Sequence, residues 1–260
     1  MQLPIYQIDA FSDNVFHGNP AAVVILDSWP EDTLLQKIAA ENNLSETAFL
    51  KAKDQKYEIR WFTPVCEVPL CGHATLASAY LILKELEPQR KDVIFESKSG
   101  DLTVKTDDDL LCMSFPTSKI EKIDVSYEII EALHRKPVEL YKSDDYMAVF
   151  NDEKIIRHMK PDFEAIKKLD ARGIIITAPG KNADFVSRFF APAIGINEDP
   201  VTGSAHTKLA PYWSKRLGKN TLSAVQLSER QGKLICRNYG ERVEISGKAR
   251  IYLKGHISTN

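Results

Sequence analysis

The chain has 260 residues, 43% apolar and 27% charged, with a formal net charge of −2 at pH 7. A chain of this length buries a sizeable core, as one large domain or as two of ordinary size. The near-neutral charge leaves no basic footprint for nucleic acid or an anionic membrane, and no stretch approaches the ~20 uncharged apolar residues of a membrane span.

The first predicted element is a strand, LPIYQIDAF (3–11). The N-terminus has no basic region followed by an apolar run, so it does not read as a signal peptide, and a cytoplasmic location is expected. Strand AAVVIL (21–26) follows, then an amphipathic helix over 31–43, then strands ETAFLKA (46–52) and YEIRWF (57–62). The stretch GHATLASAYLILKELE (72–87) is small or apolar on nearly every side from Ala74 to Leu83, and a helix apolar all round must be enclosed. Strands over 92–97, 101–106 and 110–115 come next. The polar piece FPTSKIEKID, around 116–124, ends that run and sets the expected boundary, 1–118 against 119–260.

The second half is predicted to hold helix 124–134, strands 138–143 and 146–150, helix 161–171, and strands 173–178 and 184–190. Helix 203–218 has a broad apolar face of Ala205, Leu209, Ala210, Tyr212 and Trp213, with a bend expected at Pro211. Strands 222–228, 233–238, 242–247 and 250–255 close the chain; the last, within about 248–256, is open between staying with its half and crossing back to the first. The four cysteines, Cys66, Cys71, Cys112 and Cys236, form no C-x-x-C pair, so neither a disulfide framework nor a structural zinc is expected.

One turn occurs twice. FTPVCEVPLCGHA (62–74) and FFAPAIGINEDPVTGSAH (189–206) both run Phe-X-Pro, an acidic residue, then a Gly that opens a helix. The two prolines lie 128 positions apart and the two glycines, Gly72 and Gly203, 131 apart, close to half the chain. A helix and a strand precede each copy, and three strands follow each helix. The fold class expected is therefore α/β (α+β): two pseudo-symmetric halves from an internal duplication, each a curved, mostly antiparallel sheet rolled around a central helix.

Each duplicated turn ends at a helix N-terminus, where unpaired N–H groups and the positive end of the dipole suit a carboxylate or phosphate. His73 follows Gly72; Asp199 precedes Gly203 and Ser204 follows it. A His at a helix N-terminus tends to lose its proton, which makes His73 a neutral donor or acceptor. Glu46, in NNLSETAF, has no acidic equivalent at GIIIT in the second half, and beside an apolar strand it is a candidate general base with a raised pKa. Taken singly, each of these residues also fits a structural role.

Together the pieces GNPAAVV (18–24), NLSETAF (43–49), FTPVCEVPLCGHAT (62–75), FFAPAIGINEDPVTGSAH (189–206) and QG (231–232) resemble the phenazine-biosynthesis PhzF-like proteins, in order and over nearly the whole chain. The resemblance implies a diaminopimelate epimerase-like fold with the active site in the cleft between its halves. It also implies a homodimer, no cofactor and no metal. The implied reaction is cofactor-free isomerisation of a small carboxylate-bearing substrate, in the family a dihydro-hydroxyanthranilate-type acid. Glu46 matches the residue that moves the proton, His73 and Asp199 match its polar partners, and Gly72, His73, Gly203, Ser204 and Asn19 match substrate-binding positions.

Two other readings stay open. Epimerases and racemases of this fold use a cysteine at each duplicated turn; here the positions hold Cys71 and Thr202, which leaves a one-thiol racemase or dehydratase. The third is a non-catalytic small-molecule binding protein that keeps the cleft.

Overall fold

In the computed structural model, which describes residues 1–259, the chain divides into two compact units. One comprises Met1–Ser114 with the C-terminal residues from Ser246; the other is Phe115–Ile245.

The first unit contains β1 (Gln2–Ala10), β2 (Asn19–Leu26), α1 (Asp32–Asn42), β3 (Glu46–Lys53), β4 (Lys56–Phe62), β5 (Glu67–Val68), α2 (Gly72–Tyr80), β6 (Asp92–Ser97), β7 (Gly100–Asp107) and β8 (Leu110–Pro116). Pairing is antiparallel for β1–β2, β3–β4, β4–β5, β6–β7 and β7–β8, and parallel for β2–β3 and β4–β6. Both faces of β2 are covered, which is why it reads as a continuous apolar run instead of an alternating one. Ala22, Val24 and Leu26 join Leu35, Ile38 and Ala39 of α1 in one cluster, while α2 packs against β1, β2 and β3. Every α2 residue from His73 to Ala79 is buried, as an all-round apolar helix requires. The helix continues as a π-helical turn over Leu81–Leu86.

The second unit contains β9 (Glu121–Ile123), α3 (Tyr127–Leu133), β10 (Glu139–Lys142), β11 (Tyr146–Val149), α4 (Glu153–His158), α5 (Phe163–Lys167), β12 (Ile174–Pro179), β13 (Phe185–Ala191), β14 (Ile196–Asp199), α6 (Gly203–Leu217), β15 (Thr221–Gln226), β16 (Gly232–Asn238) and β17 (Arg242–Gly247). Its pairings repeat the first unit's: parallel for β11–β12 and β13–β15, antiparallel for β10–β11, β12–β13, β13–β14 and β15–β16. Ile174, Ile176 and Ala178 face a cluster with Ile156 of α4 and Ile166 of α5. On the opposite face Thr177 accepts a hydrogen bond from Trp213 of α6 at 3.0 Å, and Phe185 stacks on the Trp213 ring.

Helix 161–171 of the sequence reading is shorter than expected, and α4 precedes it. Asp152 and Asp162 each cap a separate helix through side-chain bonds to backbone N–H groups, with Pro161 between them. Strands β5, β9 and β14 are two to four residues long, too short for periodicity to register. Helix α6 runs unbroken through Pro211. The final strand, β18 (Ala249–Ser258), pairs antiparallel with β1 along its length, from Gln2↔Ser258 to Ala10↔Ala249. Strand β9 pairs with β10 in the same sense, so β18 gives the first unit the strand that β9 gives the second.

Candidate active site

Glu46 is the first residue of β3. Helix α1 ends at Asn43 in the left-handed region (φ 48°), a conformation Asn tolerates, and the chain enters β3 with Glu46 opposite Ala21 of β2. His73 stands in the first turn of α2, after extended Cys71 (φ −144°) and Gly72. His73 Nε2 lies 3.3 Å from Glu46 Oε2, the two side chains being only 6% and 13% exposed. On the other side of the ring, Nδ1 lies 3.5 Å from Cys71 Sγ. Nε2 is buried and completes no hydrogen bond within the protein. Burial pulls the His73 pKa down to about 3, so the ring is neutral near pH 7. Asn19 opens β2, fully buried, opposite Ala10.

Glu46, Cys71 and His73 bring three metal-type donor atoms within 4.8 Å of one another. The imidazole presents a different nitrogen to each neighbour, however, and one ion takes only one imidazole nitrogen. The three side chains run in the order thiol, ring, carboxylate, with the imidazole between the other two.

In the second unit Asp199 closes β14 and Thr202 stands where Cys71 stands in the first. Thr202 Oγ1 donates to Asp199 Oδ2 at 2.6 Å. Gln226, fully buried at the end of β15, accepts from Thr202 N at 2.9 Å and donates to the Asp199 carbonyl at 2.8 Å and Thr202 Oγ1 at 3.1 Å. Ser204, the counterpart of His73, accepts from Arg172 Nη2 at 3.0 Å. Arg172 is held by a two-pronged bond to Asp145, at 2.9 and 2.6 Å, and Asp145 also binds the buried Lys208 at 2.9 Å. Gln226, Arg172, Asp145 and Lys208 escaped the sequence reading. None lies in the repeated motif; the fold brings them together from the end of β15, the approach to β12, the turn between β10 and β11, and α6.

Superposed by register, the repeat separates structural acids from candidate functional ones. Arg60 grips Glu67 through Nε and Nη2, both at 2.8 Å, with its guanidinium over Phe62. Arg188 grips Glu198 in the same way, at 2.7 and 2.8 Å, over Phe190. The acidic residue common to both turns is therefore a clamp. Asp199 is additional: it pairs with Phe189 where Val68 pairs with Trp61. The three extra positions between the prolines' spacing and the glycines' are taken up by the 3-10 turn Pro192–Ile194. Thr47 pairs with Phe62 and Ile174 with Phe190, so the counterpart of Glu46 is Gly173. A Cβ there would lie 2.4 Å from the Phe190 carbonyl oxygen, so the second unit has no room for a carboxylate at that place.

The model of the phenazine biosynthesis-like protein family matches residues 8–255. The chain belongs to this PhzF-like family. A relative from Pseudomonas aeruginosa, named an uncharacterized isomerase, is 51% identical over 257 residues, 99% of each chain. The crystal structure of a PhzF-family protein from Enterococcus faecalis superposes with a TM-score of 0.97 at 45% identity, covering 100% of both chains. A predicted epimerase from Pseudomonas aeruginosa, with a TM-score of 0.76 at 18% identity over 99% of this chain and 100% of that one, shares the fold. Of the expected PhzF-like site residues, Asn19, Glu46, Gly72 and His73 lie in the first unit, and Asp199, Gly203 and Ser204 in the second.

Proposed function

We propose that the chain is a cofactor-independent isomerase of small carboxylate-bearing molecules, with Glu46 as the group that moves the proton. The observation that carries this reading is the buried contact between the Glu46 carboxylate and a neutral His73, at a position whose counterpart admits no side chain. A carboxylate largely withdrawn from water is a stronger base toward a C–H acid than one in solvent. Glu46 takes a proton from one substrate carbon, leaving the electron pair to delocalise toward the carboxyl-bearing end, and returns the proton to another carbon. No net oxidant or reductant is needed.

In the first unit a substrate carboxylate is assigned to the helix N-terminus at Gly72, with Asn19 as a further contact, and in the second unit Gly203 and Ser204 are assigned to substrate binding. Neither glycine has a positive φ, so backbone conformation does not demand Gly at either place. Asp199, tied to Thr202 and through its backbone to Gln226, is assigned to orient a substrate amino or hydroxyl group. The names of the relatives support isomerase chemistry.

One observation favours a second reading: Cys71 touches the same imidazole as Glu46, as a thiol base would. Against it, the Thr202 hydroxyl is already committed to Asp199. The two readings separate in deuterium exchange from solvent into a panel of small carboxylic acids with activated C–H bonds. Exchange lost in E46Q and retained in C71A supports the proposal; the reverse pattern establishes the thiol mechanism. No exchange into any acid that the protein binds tightly would mark a binding protein.

A further inference from the structure

We infer that Cys71 is a positioning residue whose thiol donates its proton to His73 Nδ1 and thereby holds the ring as the Nε2–H tautomer, with that N–H unspent and facing Glu46. A neutral imidazole carries one proton, on either Nδ1 or Nε2. With the proton on Nδ1, the ring would donate to Cys71 Sγ, 3.5 Å away, and turn the Nε2 lone pair toward a carboxylate oxygen at 3.3 Å. Two lone pairs would then oppose each other inside a buried site, unless Glu46 carried a proton of its own. With the proton on Nε2, the thiol supplies the Nδ1 bond and the N–H faces the carboxylate. Every contact is then attractive with no added proton.

Among the described residues no second group bonds His73 Nδ1. Cys71 and His73 are 6% and 5% exposed, which leaves little room for water to serve Nδ1. The backbone carbonyl of Cys71 is taken by Thr75 Oγ1 at 2.5 Å. The second unit shows the contrast: His206, the counterpart of Thr75, uses Nδ1 to donate to the Thr202 carbonyl at 2.8 Å, and so holds the opposite tautomer. Buried Nε2 of His73 completes no hydrogen bond within the protein, and a buried donor without an acceptor is rare unless a ligand supplies one. Its acceptor is an electronegative atom of the substrate beside the carbon that Glu46 deprotonates. That last role rests on the proposed proton transfer; the tautomer does not.

The test is 15N NMR of histidine-labelled protein without substrate, with His73 assigned by its loss in H73N. The wild type is expected to show a protonated Nε2 and an Nδ1 shifted as a hydrogen-bond acceptor. In C71A the Nδ1 resonance moves toward that of an unbonded nitrogen, and in C71S, which keeps a donor, it returns. A wild-type proton on Nδ1, or His73 resonances indifferent to C71A, would overturn the inference. The wild-type spectrum decides the tautomer even if C71A does not fold. Turnover surviving E46Q would sink the proposed function yet leave this result standing, so the two failures are distinguishable.

Discussion

At the scale of single residues, the buried histidines make stability depend on pH with a definite sign. Burial lowers His73 from 6.5 to about 3 and His206 to about 4, against a smaller raising effect of the Thr202 carbonyl. The unfolded chain takes up these protons near pH 6.5 while the folded chain refuses them. Their effect on stability is therefore absent above pH 7, and stability falls as the pH drops from 6.5 toward 4. Urea unfolding between pH 7 and pH 5 should lose roughly 2–4 kcal/mol for the pair, at up to about 1.4 kcal/mol per pH unit for each proton. H206Q should flatten part of that slope, and a wild-type stability independent of pH across this window would contradict the burial account. His73 and Asp199 stood out in the sequence because they belong to the repeated turns, and Glu46 because the second half has no acidic equivalent of it. The cause of the His73 shift did not, because enclosure by α2's neighbours is a property of the fold.

At the scale of elements, the two units use one device twice. An Arg on the second strand of each motif clamps the Glu of the following short strand, and it also reaches the helix on the outer face: Arg60 to Asp32 of α1, Arg188 to carbonyls at the end of α4. The motif's order was legible in the sequence, whereas the division of its acids, Glu67 and Glu198 as clamps and Asp199 as an addition, needed the register. The second unit adds a buried pair, Lys208 and Asp145, at 1% and 0% side-chain exposure. Lys208 also reaches Asp144 at 2.9 Å, so its charge is stranded only when both carboxylates go, and D144A/D145A should cost about 3–5 kcal/mol in denaturant unfolding. The apolar double variant D145L/K208M should lose much less. A D144A/D145A loss below about 1 kcal/mol would mean that burying the Lys208 charge unpaired costs little. Both residues look like ordinary surface charges in the sequence, which is why neither was singled out.

At the scale of the whole molecule, the duplication was legible because its period, motif order and enclosed helices all recur in the chain. The destination of the last strand was not. Pairing between Gln2 and Ser258 joins the chain's two ends and leaves no local pattern to read. Truncation after Gly247 removes the strand that covers β1 over its full length and should unfold the first unit, seen as loss of its cooperative transition in calorimetry. A truncated chain that keeps its native transitions would show that β18 is dispensable. Among the described residues no helix is long and apolar enough to cross a membrane, in keeping with the absence of any such run in the sequence.

The central claim is that the acid present in only one copy of the repeat, Glu46, carries the proton. Its most direct test is turnover in D2O with a carboxylic acid on which the wild type is active, followed by mass spectrometry and NMR of the product. The wild type should place at most one solvent deuterium, at the new C–H position. E46Q should lose turnover by at least about a hundredfold, the scale of a positioned general base, with its unfolding midpoint unchanged. Wild-type isomerisation and labelling by folded E46Q would contradict the account.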